Sequence, residues 1–513
     1  MNKEVYKDYF FDANGYDIQD GGYKELEEPK TPAVPLAVPE LLKPDRETQT
    51  DIYYTVCAQT GETEILPGEK TKTWGYNRSI LGQTVVFPVG KHIHVTLQNR
   101  LPEITTFHWH GLNVSGPYVD GGCHAPVYPG EDSEIDFTLN QPASTNWLHA
   151  HPCPATAEQV YKGLATMVVV TDQHEASLSL PRTYGVDDIP VILQDRTFHE
   201  NNQLDYRTDY DPDGVLGVTP LVNGTVNGYF DVTAKKMRLR LLNGANRREW
   251  RLHFSDDLEF VQIAGDGSLL PKPVHFTKLM LTCAERAELV VDFSKYKPGD
   301  EVILYSDQTP IMTFRIKEFT NDQHVEVPDE LLKIEVPAVD PETPVRKVVM
   351  SGMDESVMMD HKKFKMDRID AEQEVGLVQY WDVSNTNGRK MGMVHPFHCH
   401  GMSFLVISRN GHDPYPNERG FKDTVGVNPS ETVRILVRFD LAGLYMYHCH
   451  ILEHEDGGMM AQIETFIPGK PRPHYELMTM DKLMKAFSEE RGIPEDELWL
   501  PGMDSYHKMH MDM

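Results

Sequence analysis

A strand-like run that ends in asparagine occurs three times in this chain at a nearly constant interval. The runs VTLQN, RLRLLN and WDVSN end at Asn99, Asn243 and Asn385, which are 144 and 142 residues apart. A second element, a glutamate before a strand-like run that ends in phenylalanine, recurs in the same order at Glu131, Glu285 and Glu431. Two elements repeated in one order at nearly the same period predict a tandem repeat of a single supersecondary unit.

Apolar and polar residues alternate within and around these runs, as they do in half-buried strands. Ile93, Val95 and Leu97, for example, occupy one face of such a segment. Turn signals such as Pro129-Gly130 separate the runs, and helical patterns are few. The chain is therefore predicted to be all-β, with three tandem β-sandwich domains at 51–178, 179–335 and 343–468.

The segments outside these domains differ in composition. Residues 1–50 are rich in proline and are expected to wrap a domain rather than fold alone. The stretch 325–343 is rich in proline and glutamate and is predicted to be a linker. The region 469–513 is expected to hold a helix over Tyr475–Arg491 and then a tail rich in methionine and histidine.

The charge balance excludes several classes of partner. The 513 residues include 49 Lys+Arg and 78 Asp+Glu, which gives a formal net charge of −29. An acidic surface argues against nucleic acid and anionic membrane surfaces, but it suits metal ions and amines. No stretch approaches the roughly 18 apolar residues of a membrane span. The N-terminus has no apolar signal core, so cytoplasmic residence is expected unless a leader has been removed. Six cysteines are too few for a disulfide scaffold.

Histidine pairs of the form His-x-His occur five times among the 23 histidines. Residues i and i+2 of a strand point to the same face, so each pair presents two imidazoles together, which suits copper, zinc or iron. The pair His92/His94 alternates with apolar residues on an amphipathic strand and is expected to face solvent. The other four pairs lie in FHWHG (107–111), WLHAH (147–151), HPFHCHG (395–401) and HCHILEHEDGGMM (448–460).

Two of these four motifs belong to the first repeat and two to the third. We therefore expect a cluster of metal ions where the first and third domains meet, with the middle domain as a spacer. Eight imidazoles exceed the needs of a single ion, so the cluster should hold several.

The last motif adds the ligands of a different kind of copper site. Cys449 is followed by His454 and Met459, and His395 lies upstream. Two histidines, a thiolate and a weak axial methionine are the ligand set of a blue-copper electron-transfer site. Side chains alternate along a strand, so Cys449 points away from its two histidine neighbours. An electron entering at this site would have a short covalent path to the cluster.

These four motifs resemble, in order and spacing, the four copper signatures of the multicopper oxidases, and the likeness covers about residues 50–468. The resemblance implies three cupredoxin-like Greek-key domains and four copper ions. It also implies a reaction that passes four electrons from reducing substrates to O₂ and yields two waters. The most similar members are the bacterial laccases of the spore-coat type and the copper-efflux oxidases.

The resemblance implies a role for each ligand. The type 1 copper would be held by His395, Cys449, His454 and Met459. The type 2 copper would be held by His108 and His398. The type 3 pair would be held by His110, His149, His151, His400, His448 and His450. Asp120 and Glu455 match positions at which the family uses acids in proton delivery, although Asp120 also suits a plain turn before two glycines.

Two positions depart from the family pattern without removing a ligand. Cys399 stands where relatives usually have an aliphatic residue, and Leu148 stands where an aromatic residue is common. Cys399 is expected to be a small buried thiol that points away from the ligands. Cys123 and Cys153 lie close to the motifs and could pair with each other.

Methionines outside the motifs leave the reducing substrate open. They form three groups: Met350, Met353, Met358 and Met359; Met391 and Met393; and Met503, Met509, Met511 and Met513 with His507 and His510. Their surroundings are polar, so burial in a core is not expected, and thioethers suit Cu(I). In copper-efflux oxidases such residues near the type 1 histidine bind substrate Cu(I). Met393 matches one of those positions, whereas Met391 stands where an aspartate would be expected.

The leading interpretation is a laccase-type oxidase that uses O₂ to oxidise phenols and aromatic amines. The alternative within the family is a cuprous oxidase that acts on Cu(I). A non-enzymatic cupredoxin scaffold or copper store is a second class, but scaffold relatives lack ligands and all twelve positions are filled here. A copper nitrite reductase normally has two domains and no type 3 histidines, so the four pairs argue against it.

Overall fold

A computed structural model of the protein describes residues 5–6, 24–321, 325–389 and 392–502. Strands dominate these residues and form six sheets, which face each other in pairs as three β-sandwiches. Two short strands come first in the chain: β1 (Val5–Tyr6) and β2 (Val34–Pro35). Within this part of the chain, every helix is too short or too polar to cross a lipid bilayer.

The first sandwich consists of two sheets. One has the strand order β10-β8-β4-β5-β6, with β3 paired to β4, and the other has the order β7-β12-β11-β9. Its strands are β3 (Arg46–Glu47), β4 (Asp51–Thr63), β5 (Thr71–Tyr76), β6 (Leu81–Gly82), β7 (Val85–Pro88), β8 (His92–Arg100), β9 (His108–His110), β10 (Asp132–Thr138), β11 (Ser144–His149) and β12 (Ala165–Thr171). Two short helices lie beside it, α1 (Thr156–Lys162) and α2 (Gln173–Ser177).

The second sandwich pairs sheets of order β1-β19-β18-β21-β16-β13-β14 and β2-β15-β23-β22-β17-β20. Its own strands are β13 (Asp188–Arg196), β14 (Thr219–Val222), β15 (Gly228–Ala234), β16 (Lys236–Asn243), β17 (Trp250–Phe254), β18 (Phe260–Ala264), β19 (Leu269–Phe276), β20 (Lys278–Leu281), β21 (Arg286–Asp292), β22 (Glu301–Ser306) and β23 (Thr309–Asn321). The N-terminal strands β1 and β2 each extend one of these sheets, whereas β3 joins the first sandwich, so the N-terminal extension runs across both.

The third sandwich pairs sheets of order β25-β24-β27-β32-β29-β30 and β26-β34-β33-β28-β31. Its strands are β24 (Arg346–Ser351), β25 (Met358–Met359), β26 (Ala371–Glu374), β27 (Gln379–Asn385), β28 (His395–Cys399), β29 (Phe404–Arg409), β30 (Phe421–Lys422), β31 (Thr424–Val427), β32 (Glu431–Val437), β33 (Gly443–Cys449) and β34 (Met460–Phe466). The helices are α3 (Leu452–Asp456) and α4 (Met480–Arg491).

The repeat predicted from the sequence is present as one structural corner in each sandwich. The asparagine strand pairs antiparallel with the strand of the second element: β8 with β10, β16 with β21 and β27 with β32. Asn99 Nδ2 donates to the carbonyls of Glu103 and Val127, at 2.9 and 2.8 Å, and its Oδ1 accepts from the amide of Leu101. Asn243 and Asn385 make the same three bonds in their sandwiches. Each asparagine is buried, so it satisfies backbone groups that would otherwise lose water without replacement.

The predicted C-terminal helix begins five residues later than expected, at Met480 rather than Tyr475. Thr479 is its N-cap: the backbone there is extended and the hydroxyl accepts from the amide of Lys482. A threonine cap satisfies an amide that the first helical turn leaves without a partner, which fixes the start of the helix.

Candidate metal centre

The four histidine motifs converge where the first and third sandwiches meet. In the first, β9 and β11 are antiparallel neighbours that place His149 opposite His108. In the third, β28 and β33 place His398 opposite His448 in the same way. All eight histidines of the four motif pairs are at most 1% exposed. The strands therefore bring eight imidazoles together in a volume shielded from water.

These imidazoles form three groups whose ring nitrogens lie within 4.8 Å of one another. The groups are His108, His110 and His398; His110, His149 and His450; and His151, His400 and His448. Each group takes residues from both the first and the third sandwich. Three nitrogens at this separation are spaced as the ligands of one transition-metal ion are.

Hydrogen bonds fix which nitrogen of several rings presents a lone pair. Nδ1 of His108 faces the Asp120 carbonyl at 3.0 Å, and Nδ1 of His398 faces the Asp423 carbonyl at 2.8 Å. A carbonyl only accepts, so Nδ1 carries the hydrogen and Nε2 is left as a bare acceptor. Both Nε2 atoms are buried without a hydrogen-bond partner among the described residues. Each of these two rings is thus held with the lone pair of Nε2 available to a metal ion.

In the third group, ring nitrogens of different histidines lie so close together that their contact is unfavourable without a metal ion. Nε2 of His448 lies 3.1 Å from Nε2 of His400 and 3.4 Å from Nε2 of His151. Nδ1 of His448 donates to the Cys449 carbonyl and Nδ1 of His400 donates to Asp120, so their Nε2 lone pairs face each other. Burial and the neighbouring histidines hold the pKa of His151 and His448 well below the usual value, so protons do not relieve the contact. A metal cation between these nitrogens would.

A separate group contains the cysteine. Cys449 Sγ lies 3.5 Å from Nδ1 of His395 and 3.7 Å from Nδ1 of His454, and all three residues are fully buried. Met459 is buried in the same core, and its carbonyl accepts from the amide of Cys449. Burial raises the pKa of the Cys449 thiol, so the thiolate needs a metal ion to stabilise it. The donor set fits a single copper of the blue type.

Helix α3 holds His454 in place through contacts with the other two sandwiches. The Asp456 carboxylate accepts from the amides of Thr156 and Ala157 at the start of α1. Oε1 of Glu453 accepts from Nδ2 of Asn246 in the second sandwich, at 2.8 Å. The helix that carries His454 is thus anchored on both sides.

The two predicted acids both lie against the histidines of the third group. Oδ2 of Asp120 accepts from Nδ1 of His400 at 2.8 Å. Burial alone would raise the pKa of Asp120, but the charges of His400 and His108 outweigh it and lower that pKa below its usual value. The Glu455 carboxylate lies 3.3 Å from Nε2 of His151 and 3.2 Å from Nδ1 of His448. Burial raises the pKa of Glu455 well above its usual value, and the charge of Asp456 adds to the effect.

Two carboxylates that contact the histidines were not anticipated from the sequence. Asp213, from the region assigned to the second domain, places Oδ1 3.2 Å from Nε2 of His454. Asp423 places Oδ1 2.9 Å from Nε2 of His110. Neither lies in a histidine motif, and Asp423 follows His395 by 28 residues with no local pattern to mark it. Contacts between distant segments leave no periodic signal.

The prediction that the methionines avoid core burial is wrong for three of them. Met350, Met359 and Met393 are at most 3% exposed and lie in the core of the third sandwich, whereas Met353 and Met358 are half-buried. Met350 and Met359 are cross-strand partners in β24 and β25. Met350 alternates along β24 with half-buried Val349 and Ser351, so its side chain faces the core. Met391 and the tail Met503, Met509, Met511, Met513, His507 and His510 lie outside the described residues.

The remaining predictions concern cysteines and one histidine pair. Cys399 is buried, as expected, and no disulfide links Cys123 to Cys153 in the described chain. The side chains of His92 and His94 are 40% and 31% exposed and contact Asp136 and Asp51 on neighbouring strands, away from the metal centre.

Comparison with known proteins agrees with this geometry. Two family models, both described as multicopper oxidase, match residues 58–175 and 338–467. A multicopper oxidase of Staphylococcus aureus is 39% identical over 430 residues, which span 84% of this chain and 92% of that protein. This chain belongs to the multicopper oxidase family.

Solved structures of the family are still more similar. Crystal structures of a multi-copper oxidase and of a laccase from Pediococcus acidilactici are each 57% identical to this chain, with TM-scores of 0.90 and 0.88. They cover 93% and 90% of this chain, and all of their own length is matched. The likeness confirms the fold class predicted from the sequence, which is all-β with cupredoxin-like sandwiches.

The family also has members named for another role. The cell division protein FtsP of Escherichia coli is 32% identical over 449 residues, which span 84% of this chain and 92% of that protein. Membership in the family therefore establishes the fold and the class of metal, while the substrate has to be argued from the site.

Proposed function

We propose that this protein is a laccase-type multicopper oxidase that removes single electrons from phenols and aromatic amines and reduces O₂ to water. The observation that carries the proposal is the sequence His448-Cys449-His450 at the end of β33. Cys449 faces His395 and His454, while its two neighbours lie among the eight clustered imidazoles. One strand end thus joins an electron-entry site to a multi-ion site.

Copper bound at these two places would supply one-electron redox chemistry at the entry site and four-electron reduction of O₂ at the cluster. The entry ion would be held by His395, Cys449, His454 and Met459. His108 and His398 would hold one ion of the cluster, and its paired ions would be held by His110, His149, His151, His400, His448 and His450.

The chain supplies the path between the two places through covalent bonds alone. Cys449 and each neighbouring histidine are linked by one peptide unit, and all three residues are buried and held by strand pairing. No side chain has to move for an electron to cross. Burial also keeps water away, which lowers the reorganisation that each transfer demands.

Reduction of O₂ to water consumes protons, and the two acids are placed to supply them. Glu455 lies beside His151 and His448, and Asp120 accepts from Nδ1 of His400. We assign proton delivery to the carboxyl groups of these two residues, because each is buried and lies within 3.3 Å of a ring nitrogen of a cluster histidine.

Reductants are expected to reach the entry site beside Asp213, whose side chain covers the outer edge of the His454 ring. Its side chain is 14% exposed, and the amide of Asp354 donates to the same Oδ1. A crevice beside the strand of His395, lined by Leu216, Met393 and Ile451 among others, has a volume of about 10 Å³. That is the space of about one water, so an aromatic ring would meet the acidic edge rather than enter the crevice. This edge favours cationic reductants by charge, and its carboxylate can accept a hydrogen bond from the N–H of a neutral aromatic amine.

The cuprous-oxidase alternative rests on the methionines, and the burial of Met350, Met359 and Met393 weakens it. The similarity to FtsP, which is named for cell division, is the reason to consider the scaffold alternative. The complete ligand set argues against it, because eleven of the proposed ligands lie in groups of three whose donor atoms are within 4.8 Å of one another, and Met459 is buried in the same core as Cys449.

Metal analysis of copper-loaded protein, with visible and EPR spectra and O₂ uptake, tests the proposal. We expect about four coppers per chain, an intense blue thiolate band and O₂ uptake with phenols and aromatic amines. Cys449→Ser should remove the blue band and the turnover. Cys399→Ser is the matched control, because Cys399 is equally buried between two histidines and should leave both intact. Little or no copper on full loading would favour the scaffold, and turnover with Cu(I) alone would favour the cuprous oxidase.

A further inference from the structure

Arg286 is a residue of the second sandwich whose side chain reaches both of the others. It opens β21 and is completely buried. Its Nε donates to the carbonyl of Thr145 in the first sandwich, at 2.9 Å. Its Nη1 donates to Oδ1 of Asp423 in the third sandwich, at 2.8 Å, and its Nη2 donates to the other oxygen of that carboxylate. The guanidinium therefore stands at the junction of all three sandwiches.

Asp423 contacts both Arg286 and the histidine cluster. Its Oδ1 lies 2.9 Å from Nε2 of His110. Nη1 of Arg286 also lies 3.2 Å from this Nε2, but the contact with Asp423 is the shorter one, and a carboxylate paired with a guanidinium only accepts. Nε2 of His110 therefore carries the hydrogen and Nδ1 presents the lone pair. Nδ1 of His110 is buried without a hydrogen-bond partner among the described residues. His110 is thus held in the opposite tautomer to His108 and His398.

The hydrogen-bond acceptors of these rings differ in how firmly they are held. His108 and His398 donate to the backbone carbonyls of Asp120 and Asp423, which also accept from the strand amides of Trp109 and Cys399. His110 donates to a side chain, and a side chain has to be positioned by something else. The two-pronged contact with Arg286 does this, because a planar guanidinium fixes both oxygens of a carboxylate at once.

This ion pair lies close to the backbone of Gly111, in space that a side chain at that position would occupy. A Cβ added to Gly111 would lie 2.7 Å from Oδ2 of Asp423 and 2.8 Å from Nη2 of Arg286. It would also lie 2.3 Å from Oδ1 of Asn146. The glycine that ends the motif FHWHG is therefore the surface against which this ion pair packs.

We propose that Arg286 is a positioning residue of the metal cluster, which fixes Asp423 and through it the orientation and tautomer of His110. The inference rests on the proposed function, since His110 is taken as a copper ligand. It also replaces the expectation that the middle domain serves only as a spacer. Residues that orient a metal-binding histidine change metal affinity by about 10- to 100-fold when they are lost.

Copper retention against a chelator tests this assignment. In Arg286→Met, cluster copper should be lost at a chelator concentration about 10- to 100-fold lower than in the unaltered protein. The blue absorption per chain should stay unchanged, because Arg286 does not contact the cysteine site. Arg286→Lys keeps the charge but cannot hold both carboxylate oxygens, so it should give a smaller shift in the same direction.

Arg240→Met is the matched control. Arg240 is also a buried arginine of the second sandwich, pairs with Asp188 and Glu288 and contacts Thr145, but no histidine is among its partners in the described chain. The inference is overturned if Arg286→Met retains cluster copper as the unaltered protein does, or if Arg240→Met loses it equally. A parallel loss of the blue band in Arg286→Met would also overturn it. If Arg286→Met does not fold, the copper retention of Arg286→Lys decides the test. Absence of copper from the unaltered protein would refute the proposed function instead.

Discussion

Gly111→Ala is expected to destabilise the first sandwich and to weaken the metal cluster, for two reasons that can be separated. Gly111 has a φ of +86°, a region that costs an L-residue about 1–2 kcal/mol. The added methyl group would also overlap three buried polar atoms, those of Asn146, Asp423 and Arg286. Overpacking of this kind costs about 1–3 kcal/mol, so the total loss of unfolding free energy should be about 2–5 kcal/mol.

Gly130→Ala removes one of these two causes and so serves as the control. Gly130 has a φ of +80° and lies in the same sandwich, but nothing stands within 4 Å of its added Cβ. It should therefore show the backbone strain alone. The difference between the two variants should be the steric part, about 1–3 kcal/mol.

Urea unfolding of the metal-free variants, followed by tryptophan fluorescence, measures this difference. Trp109 and Trp147 are buried in the same sheet as Gly111 and report on its unfolding. Copper retention gives the second readout. Oδ2 of Asp423 would have to retreat from 2.7 Å to an ordinary contact of at least 3.4 Å, and a displaced carboxylate would disturb the contact of its Oδ1 with His110. Equal unfolding midpoints for the two alanine variants, or unchanged copper retention in Gly111→Ala, would refute this reasoning.

Two further substitutions test the roles of single ligands and acids. Met459→Leu should raise the potential of the blue copper in a redox titration, because a weak axial donor is lost, while Met460→Leu should leave it unchanged. An unaltered or lower potential in Met459→Leu would argue against axial ligation. Asp120→Asn should slow reoxidation of the reduced enzyme by O₂ but not the anaerobic bleaching of the blue band by substrate. Equal slowing of both steps in stopped-flow traces would contradict a role in proton delivery.

The fold was predictable because its signals are local and repeated. Asn99, Asn243 and Asn385 each close the same corner, so the recurrence that predicted a repeat also names the residues that build it. The histidine pairs were predictable for a similar reason, since the alternation of a strand puts both members of a pair on one face.

Contacts between distant segments could not be predicted from the sequence. Arg286 and Asp423 are 137 residues apart, and each is an ordinary charged residue in its own surroundings. Asp213 reaches His454 across 241 residues. The burial of Met350 was missed because Asp354 and Asp360 nearby in the sequence suggested an exposed segment. Along β24, however, Met350 alternates with half-buried Val349 and Ser351, and its side chain faces the core.

The division of each three-histidine group between the first and third sandwiches has a consequence for how the protein matures. A chain emerging from the ribosome offers His108, His110, His149 and His151 long before the partners at 398–400 and 448–450 exist. No complete set of ligands is available until almost the whole chain has been made and its two ends have docked. Filling of the cluster would therefore follow the docking of the first and third sandwiches, whereas the group of His395, Cys449 and His454 needs the third sandwich alone. A truncated or misassembled chain would have no full cluster with which to generate partly reduced oxygen.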